Sequence, residues 1–263
     1  SGISAEDGGE NRVLFVPLQL AYLSPVLAPT AVAGFLHVWR DRGRAWARAG
    51  VLVYPVVAVV ALALGGKPYY VIPPLFVLVA AGAQPTIDWL ARGSTARRAW
   101  SAVAAVVGVV ISVLVGLPVV PPSQLGPVLA LNKEAGEQVG WPEFAQTVAT
   151  AWATIPAAEQ ATAVVFTNNY GEAGALDRYG PALGLPPAYS GHMSYADWGP
   201  PPDSADGPVL VVGTSSNRFA DCTPLAVNHT VDDVDNDEDD VVIYRCALPA
   251  PWSQLWPRLR HGY

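Results

Sequence analysis

The stretch "VLVYPVVAVVALALGG", residues 51–66, contains no charged side chain, and Tyr54 is its only polar one. A helix on the surface of a water-soluble bundle shows polar residues every third or fourth position. This stretch shows no such face and is read as a membrane span. "AVAAVVGVVISVLVG", residues 102–116, has the same character. Working outward, four apolar runs fill the first half of the chain, at residues 13–39, 47–65, 69–90 and 99–120. Each is near the ~20 residues that carry a helix across ~30 Å of hydrocarbon. A cleaved secretory leader would supply one shorter run behind a basic segment, so four successive runs exclude it as the main reading. The expected fold is an α-helical membrane region with four spans over residues 1–121, followed by a small α/β domain over residues 122–263.

The loops set the orientation. "HVWRDRGRAWAR" carries Arg40, Arg42, Arg44 and Arg48, and "DWLARGSTARRAW" carries Arg92, Arg97 and Arg98. Basic residues in short loops stay on the cytoplasmic side. By alternation the N-terminus, the "GGKPYY" loop and everything after Pro121 lie outside, which makes the chain an integral protein of the plasma membrane with an extracytoplasmic C-terminal domain. Pro17, Pro25, Pro29, Pro55, Pro73, Pro74 and Pro85 fall within the runs and imply kinked helices whose freed carbonyls are satisfied by neighbours. A net charge of −7 argues against nucleic-acid binding, which needs a basic stripe. Cys222 and Cys246 both fall on the outer side, where a disulfide persists. Two unrelated buried thiols are the alternative.

In the second half, residues 141–155 read as a helix, with Pro142 in its first turn and Pro156 beyond its end. Phe144, Val148, Ala151 and Trp152 share one face. "TAVVFTNN", "GPVLVVG" and "DVVIYRC" read as strands, and "YGEAGALDRYGPALG" as a helix broken near Gly180. This order suits an α/β domain. The tail "PWSQLWPRLRHGY" is amphipathic through Trp252, Leu255, Trp256 and Leu259, and either rests on the outer leaflet or packs on its own domain. "VDDVDNDEDD", residues 231–240, reads as a solvated acidic loop. As a calcium loop it fails, because Glu238 stands where the turn glycine belongs and Tyr244 where the bidentate glutamate belongs. No metal site is expected. "NHT" at 228–230 fits a glycosylation acceptor but is too short a pattern to carry weight.

Two places could carry chemistry. In "LALGGKPYYVIPPLF", residues 62–76, Lys67 stands between two apolar runs, and the next acidic residue downstream is Asp88. Such a cation is a snorkelling anchor or an anion site for the phosphate of a lipid carrier; the composition leaves both open. In the outer domain Asn168, Asn169, Tyr170, Glu172, His192, Tyr195 and Trp198 follow a strand end, where α/β domains bind ligands. An aromatic ring beside polar groups suits a sugar. Equally, the asparagines cap the next helix, and His192 and Tyr195 order an irregular loop.

The strings "NRVLFVPLQL", "GGKPYYVIPPLFVLVAAGA" and "TNNYGEAGALDRYGPALGLPPAYSGHMSYADWGPP", with the tail "PWSQLWPRLRH", resemble the C-terminal half of bacterial glycosyltransferase family 39 proteins. These are relatives of protein mannosyltransferases and of the lipid A aminoarabinose transferase. The resemblance covers nearly the whole chain. It implies a GT-C membrane enzyme that takes a sugar from a polyprenyl-phosphate donor, with Lys67, Tyr69 and Tyr70 beside the lipid phosphate. It further implies membrane lipids and a glycan or protein acceptor as partners, with no cofactor beyond the lipid-linked donor. The family's acidic first outer loop, with its general base, has no counterpart here: Glu6, Asp7 and Glu10 directly precede a span that matches a later one. The chain is therefore expected to be a fragment without the catalytic acid. Asn169, Tyr170, Glu172, His192, Tyr195 and Trp198 would lie on the acceptor side. The competing expectation is a non-catalytic membrane-anchored module that binds a glycan or a partner.

Overall fold

Long apolar helices dominate the first of two units, Ser1–Val119 and Val120–Tyr263. The computed structural model describes residues 15–19, 23–66 and 68–262. In the first unit α1 spans Ala28–Arg40, α2 Arg48–Leu64, α3 Ile72–Ala91 and α4 Thr95–Gly116. Among the described residues three segments are long and apolar enough to cross a membrane: Ala45–Leu64, Tyr69–Ala91 and Thr95–Gly116. Within the unit α4 buries only Gly108. So large an exposed apolar surface suits lipid rather than water. Trp39, Trp46, Trp89 and Trp100 flank the arginine-bearing connections. Arg48 lies over Trp39 at 5.6 Å and Arg97 over Trp89 at 4.5 Å, a pairing suited to a membrane interface.

The run at 13–39, expected as one span, is interrupted. Residues 15–19 are helical, but Ser24 has φ 64° and residues 25–27 form a turn before α1 begins. Pro25 is the cause, since a residue preceding proline is driven out of the right-handed helical region. The 13 residues of α1 extend only about 20 Å, short of the hydrocarbon thickness. The run at 99–120 is shifted for the same kind of reason. Ser94 Oγ accepts from Arg97 N at 3.2 Å and starts α4 early, and Leu117, extended ahead of Pro118, ends it.

α1 and α3 touch backbone to backbone. A Cβ on Gly34 would stand 2.0 Å from Leu78 O, and one on Gly82 would stand 1.8 Å from Thr30 O. Small residues at such crossings are how membrane helices gain packing energy where lipid tails are as apolar as leucine.

In the second unit short helical turns over residues 122–138 lead into α5, Trp141–Ala153, followed by β1 Val164–Thr167, α6 Tyr170–Tyr179, β2 Ala188–Ser190, β3 Val209–Val212, β4 Ala220–Val227, β5 Val242–Ala247 and α7 Trp252–Leu259. The sheet order is β2-β1-β3-β5-β4, with β1 parallel to β2 and β3, and β5 antiparallel to β3 and β4. Val165, Leu210, Val212 and Ile243 pack under α5 and α6 on one face. Val164, Phe166, Val209 and Val211 pack under α7 on the other. Burial on both faces explains why β1 and β3 read as unbroken apolar runs. Of the two readings of the tail, the structure shows the second. Trp252, Leu255, Trp256 and Leu259 are buried in their own unit, and Trp252 Nε1 donates to Ala205 O at 2.8 Å.

Cys222 and Cys246 form a disulfide across the β4–β5 pair, 24 residues apart. Loop closure of that length is worth about 3 kcal/mol in the chain-entropy model. The double variant Cys222→Ala/Cys246→Ala, or wild type under reductant, is expected to lose that much stability in urea unfolding followed by tryptophan fluorescence. An unchanged midpoint would count against the bridge as a stabilising element.

Candidate functional site

The chain leaves β1 for β2 on one side and then crosses back to β3 on the other, so the carboxyl ends of β1 and β3 flank a topological switch point. Ligands of open α/β sheets bind at such points. Asn169 and Glu172 meet there in a capping box: Asn169 Oδ1 accepts from Glu172 N at 2.8 Å, and Glu172 Oε2 accepts from Asn169 N at 2.9 Å. Each side chain satisfies a backbone donor that the first turn of α6 leaves free. Asn169 thus has the capping role that was one of its two readings. Gly213, at the end of β3, is required twice over. Its φ is +78°, and a Cβ there would lie 3.1 Å from Glu172 Oε1.

The acidic run is solvated only in part: Asp232, Asp233, Asp235, Asp237 and Asp240 are exposed as its composition predicts, but alternate residues turn inward. Val234, Asn236 and Glu238 are buried while Asp235 and Asp237 point outward. Asn236 Nδ2 donates to Gly136 O at 3.1 Å and Val139 O at 3.2 Å, and Asn228 Nδ2 to Glu238 O at 2.7 Å. Those bonds turn alternate residues inward, and Asn228, the "NHT" asparagine, is itself buried. Glu238 arrives beside the capping box, where Oε1 accepts from Asn169 Nδ2 at 3.5 Å. Its Oε2 is buried with no hydrogen-bond partner among the described residues. Burial and then the Glu238 charge push the Glu172 carboxyl up to about 8. Burial, with Glu137 and Asp237 adding to it, pushes Glu238 up to about 7. Burying two acids side by side in low dielectric favours their protonated forms. Glu172, only 2% exposed, is out of reach of a substrate in this arrangement.

His192 is buried next to the same helix start. Its Nδ1 accepts from Tyr170 N at 3.4 Å, and its ring stacks on Tyr170 at 5.1 Å and on His261 at 4.9 Å. His261 Nδ1 donates to Leu259 O at 2.8 Å, since a carbonyl only accepts. Burial, and then His261, hold the His192 imidazole below its ordinary value. The contacts ally His192 with the loop-ordering reading.

Tyr195 and Trp198 form a separate cluster. Tyr195 OH donates to the Asp177 carboxylate on α6, and its ring lies 4.3 Å from that of Trp198. The structure thus joins Asn169, Tyr170, Glu172 and His192 in one place and Tyr195 and Trp198 in another. Sequence reasoning missed Asp177, Glu238 and His261 as members. Only for Glu238 was there a signal, the two-residue alternation through Val234 and Asn236.

In the membrane unit Tyr69 and Tyr70 are exposed and meet edge to face at 5.0 Å ahead of α3. Lys67 lies outside the described residues, as do Glu6, Asp7 and Glu10. An apolar cavity of about 300 Å3 is lined by Leu23, Ala31, Phe35, Leu78 and the pair Gln19–Tyr54. Tyr54 OH donates to Gln19 Oε1 at 2.8 Å, and the buried Gln19 Nε2 has no partner among the described residues. One group with metal-binding potential occurs among the described residues, His229, Asp239 and Asp240 on the surface.

No protein-family model, curated protein or solved structure matches this chain.

Proposed function

We propose that this chain is the C-terminal part of a membrane glycosyltransferase that moves a sugar from a polyprenyl-phosphate donor to an acceptor outside the cytoplasm. The observation that carries the reading is the asymmetry of the membrane unit. Arginines and tryptophans border the connections at residues 41–47 and 92–94, whereas the opposite connection, residues 65–71, carries Tyr69 and Tyr70 and a single cation, Lys67. An ammonium at the membrane boundary meets a lipid phosphate at its own depth. It would stabilise negative charge there as the sugar–phosphate bond breaks and the phosphate keeps the electron pair. The acceptor hydroxyl attacks the sugar carbon and gives its proton to a base that is assigned to no residue of this chain. Tyr69 and Tyr70 border the phosphate, and the apolar cavity beside Gln19 suits part of an isoprenoid chain. The α/β unit serves the acceptor, and no metal or further cofactor is invoked.

The test is polyprenyl-phosphate binding to the chain in lipid nanodiscs at fixed salt, since charge contacts weaken as salt rises. Lys67→Ala should bind at least about tenfold more weakly, with Lys67→Arg in between. Equal binding by both, or none by either, would reduce Lys67 to an interface anchor and favour the non-catalytic glycan- or partner-binding module.

A further inference from the structure

Trp198 is 76% exposed, while Trp152, Trp252 and Trp256 of the same unit are buried. An exposed indole on a floppy loop would be unremarkable, but this one ends a 3-10 turn, Met193–Trp198, that is fixed along its length. Met193 N donates to His261 O at 2.9 Å. Tyr195 is tied to Asp177, Ala196 is buried in the core under α7, and Asp197 pairs with Arg260 at 2.5 Å. Gly199 then turns the chain away at φ +94°. A flat apolar face held rigid before any ligand arrives lowers the ordering cost of binding.

Beside the indole lies a cavity of about 160 Å3 lined by Asp177, Pro187, Tyr189, Ser190, Tyr195 and Trp198, among others. β2 is an edge strand, so alternate backbone groups on its outer side are free of the ladder. The Asp177 carboxylate accepts from Ala188 N at 3.2 Å as well as from Tyr195 OH, and its remaining lone pairs are available to a hydroxyl. Burial and the contact with Asp177 raise the Tyr195 phenol, which therefore stays a protonated donor.

We propose that Trp198, Tyr195 and Asp177 form a saccharide subsite that takes one neutral pyranose ring. The ring's C–H face lies on the indole, an arrangement in which weak C–H contacts meet the negative π face, and its hydroxyls bond to Asp177 and the outer side of β2. A carboxylate in the wall disfavours uronic and other acidic sugars. The small cavity suits one ring rather than an extended peptide. This inference names the ligand class on the acceptor side of the reading above and rests on that reading, yet it depends on different residues from the donor-lipid contact.

The experiment is saturation-transfer NMR on the full chain in nanodiscs, free of sugar-based detergent. Methyl glycosides of neutral hexoses and N-acetylhexosamines are offered at about 10 mM, because a single ring binds weakly. The expected result is transfer to at least one neutral glycoside, reduced at least about tenfold in Trp198→Ala, largely kept in Trp198→Phe, and absent for methyl glucuronide. Trp198→Ala should unfold at the wild-type temperature, since the side chain it removes is exposed. No transfer to any neutral glycoside, or transfer indifferent to Trp198→Ala, overturns the subsite. So does capture of an extended peptide along β2 in place of sugar. Failure here with intact Lys67-dependent lipid binding removes the subsite alone. Saccharide binding without lipid binding removes the transferase reading instead.

Discussion

Gly82→Leu should leave the membrane unit unassembled. A Cβ at this position meets Thr30 O at 1.8 Å and Gly34 N at 2.8 Å. Both are backbone atoms, so no side-chain rotation relieves the clash, and α1 must leave α3. Overpacking that a core can absorb costs about 1–3 kcal/mol; forced separation of two helices belongs to the exceptional class above about 4 kcal/mol. The variant should lose its monodisperse peak in size-exclusion chromatography, and Gly34→Leu should behave alike. Gly116→Leu is the control, because nothing lies within 4 Å of its added Cβ. A Gly82→Leu protein that elutes and melts like wild type would show that α1 and α3 do not cross there. The functional stake is direct, since Ala31 and Phe35 of α1 and Leu78 of α3 wall the cavity assigned to the lipid chain.

The second large effect is a stability of the α/β unit that falls as pH rises. Unfolded, Glu172 and Glu238 ionise near 4.5; folded, they hold their protons until about 8 and about 7. Between those values the native state binds more protons than the unfolded one, so stability is full below about pH 4.5 and is lost on the way to about pH 8. His192 works the other way. Its lowered value favours the neutral ring, so it contributes stability above its ordinary pKa that is lost in acid. Urea midpoints of the α/β unit should therefore decline from about pH 6.5 to pH 8. Glu172→Gln should flatten that decline and exceed wild type at pH 8, because a carboxamide still accepts from Asn169 N and cannot ionise. A wild-type midpoint that rises over this interval, or an equal decline in Glu172→Gln, would mean that the two carboxyls are not a protonated pair.

Much of the fold was legible in the sequence because lipid imposes a simple rule. A helix surrounded by hydrocarbon must be apolar on every side, and residues 51–66 and 102–116 obey it. The same rule misled at residues 13–39, where hydropathy is blind to the constraint that Pro25 places on Ser24. Strands β1, β3 and β5 stood out through their apolar runs. β4 did not, because Pro224 argues against a strand, and a proline is tolerated there because β4 lies at the sheet edge and its register shifts next to Pro224. β2 has three residues, too few for any periodicity. At the site, Asn169 was legible as a cap from its position directly before a helix, with Glu172 three residues on. For the burial of Glu238 the alternation through Val234 and Asn236 was the one cue, outweighed by an acidic composition that marks the run as solvated, and the asparagines that turn it inward, Asn228 and Asn236, find their acceptors only in three dimensions. Asp177 and His261 join their clusters through contacts distant in sequence.

Photo-crosslinking maps the donor contact without assuming it. A polyprenyl phosphate bearing a photoactivatable group next to the phosphate is incorporated into membranes containing the chain, irradiated, and the attached peptides are sequenced. The label should fall within residues 65–71, be displaced by unlabelled polyprenyl phosphate, and be lost in Lys67→Ala. Label spread along the exposed face of α4, or label that the unlabelled lipid does not displace, would contradict a phosphate site at this loop and with it the transferase reading.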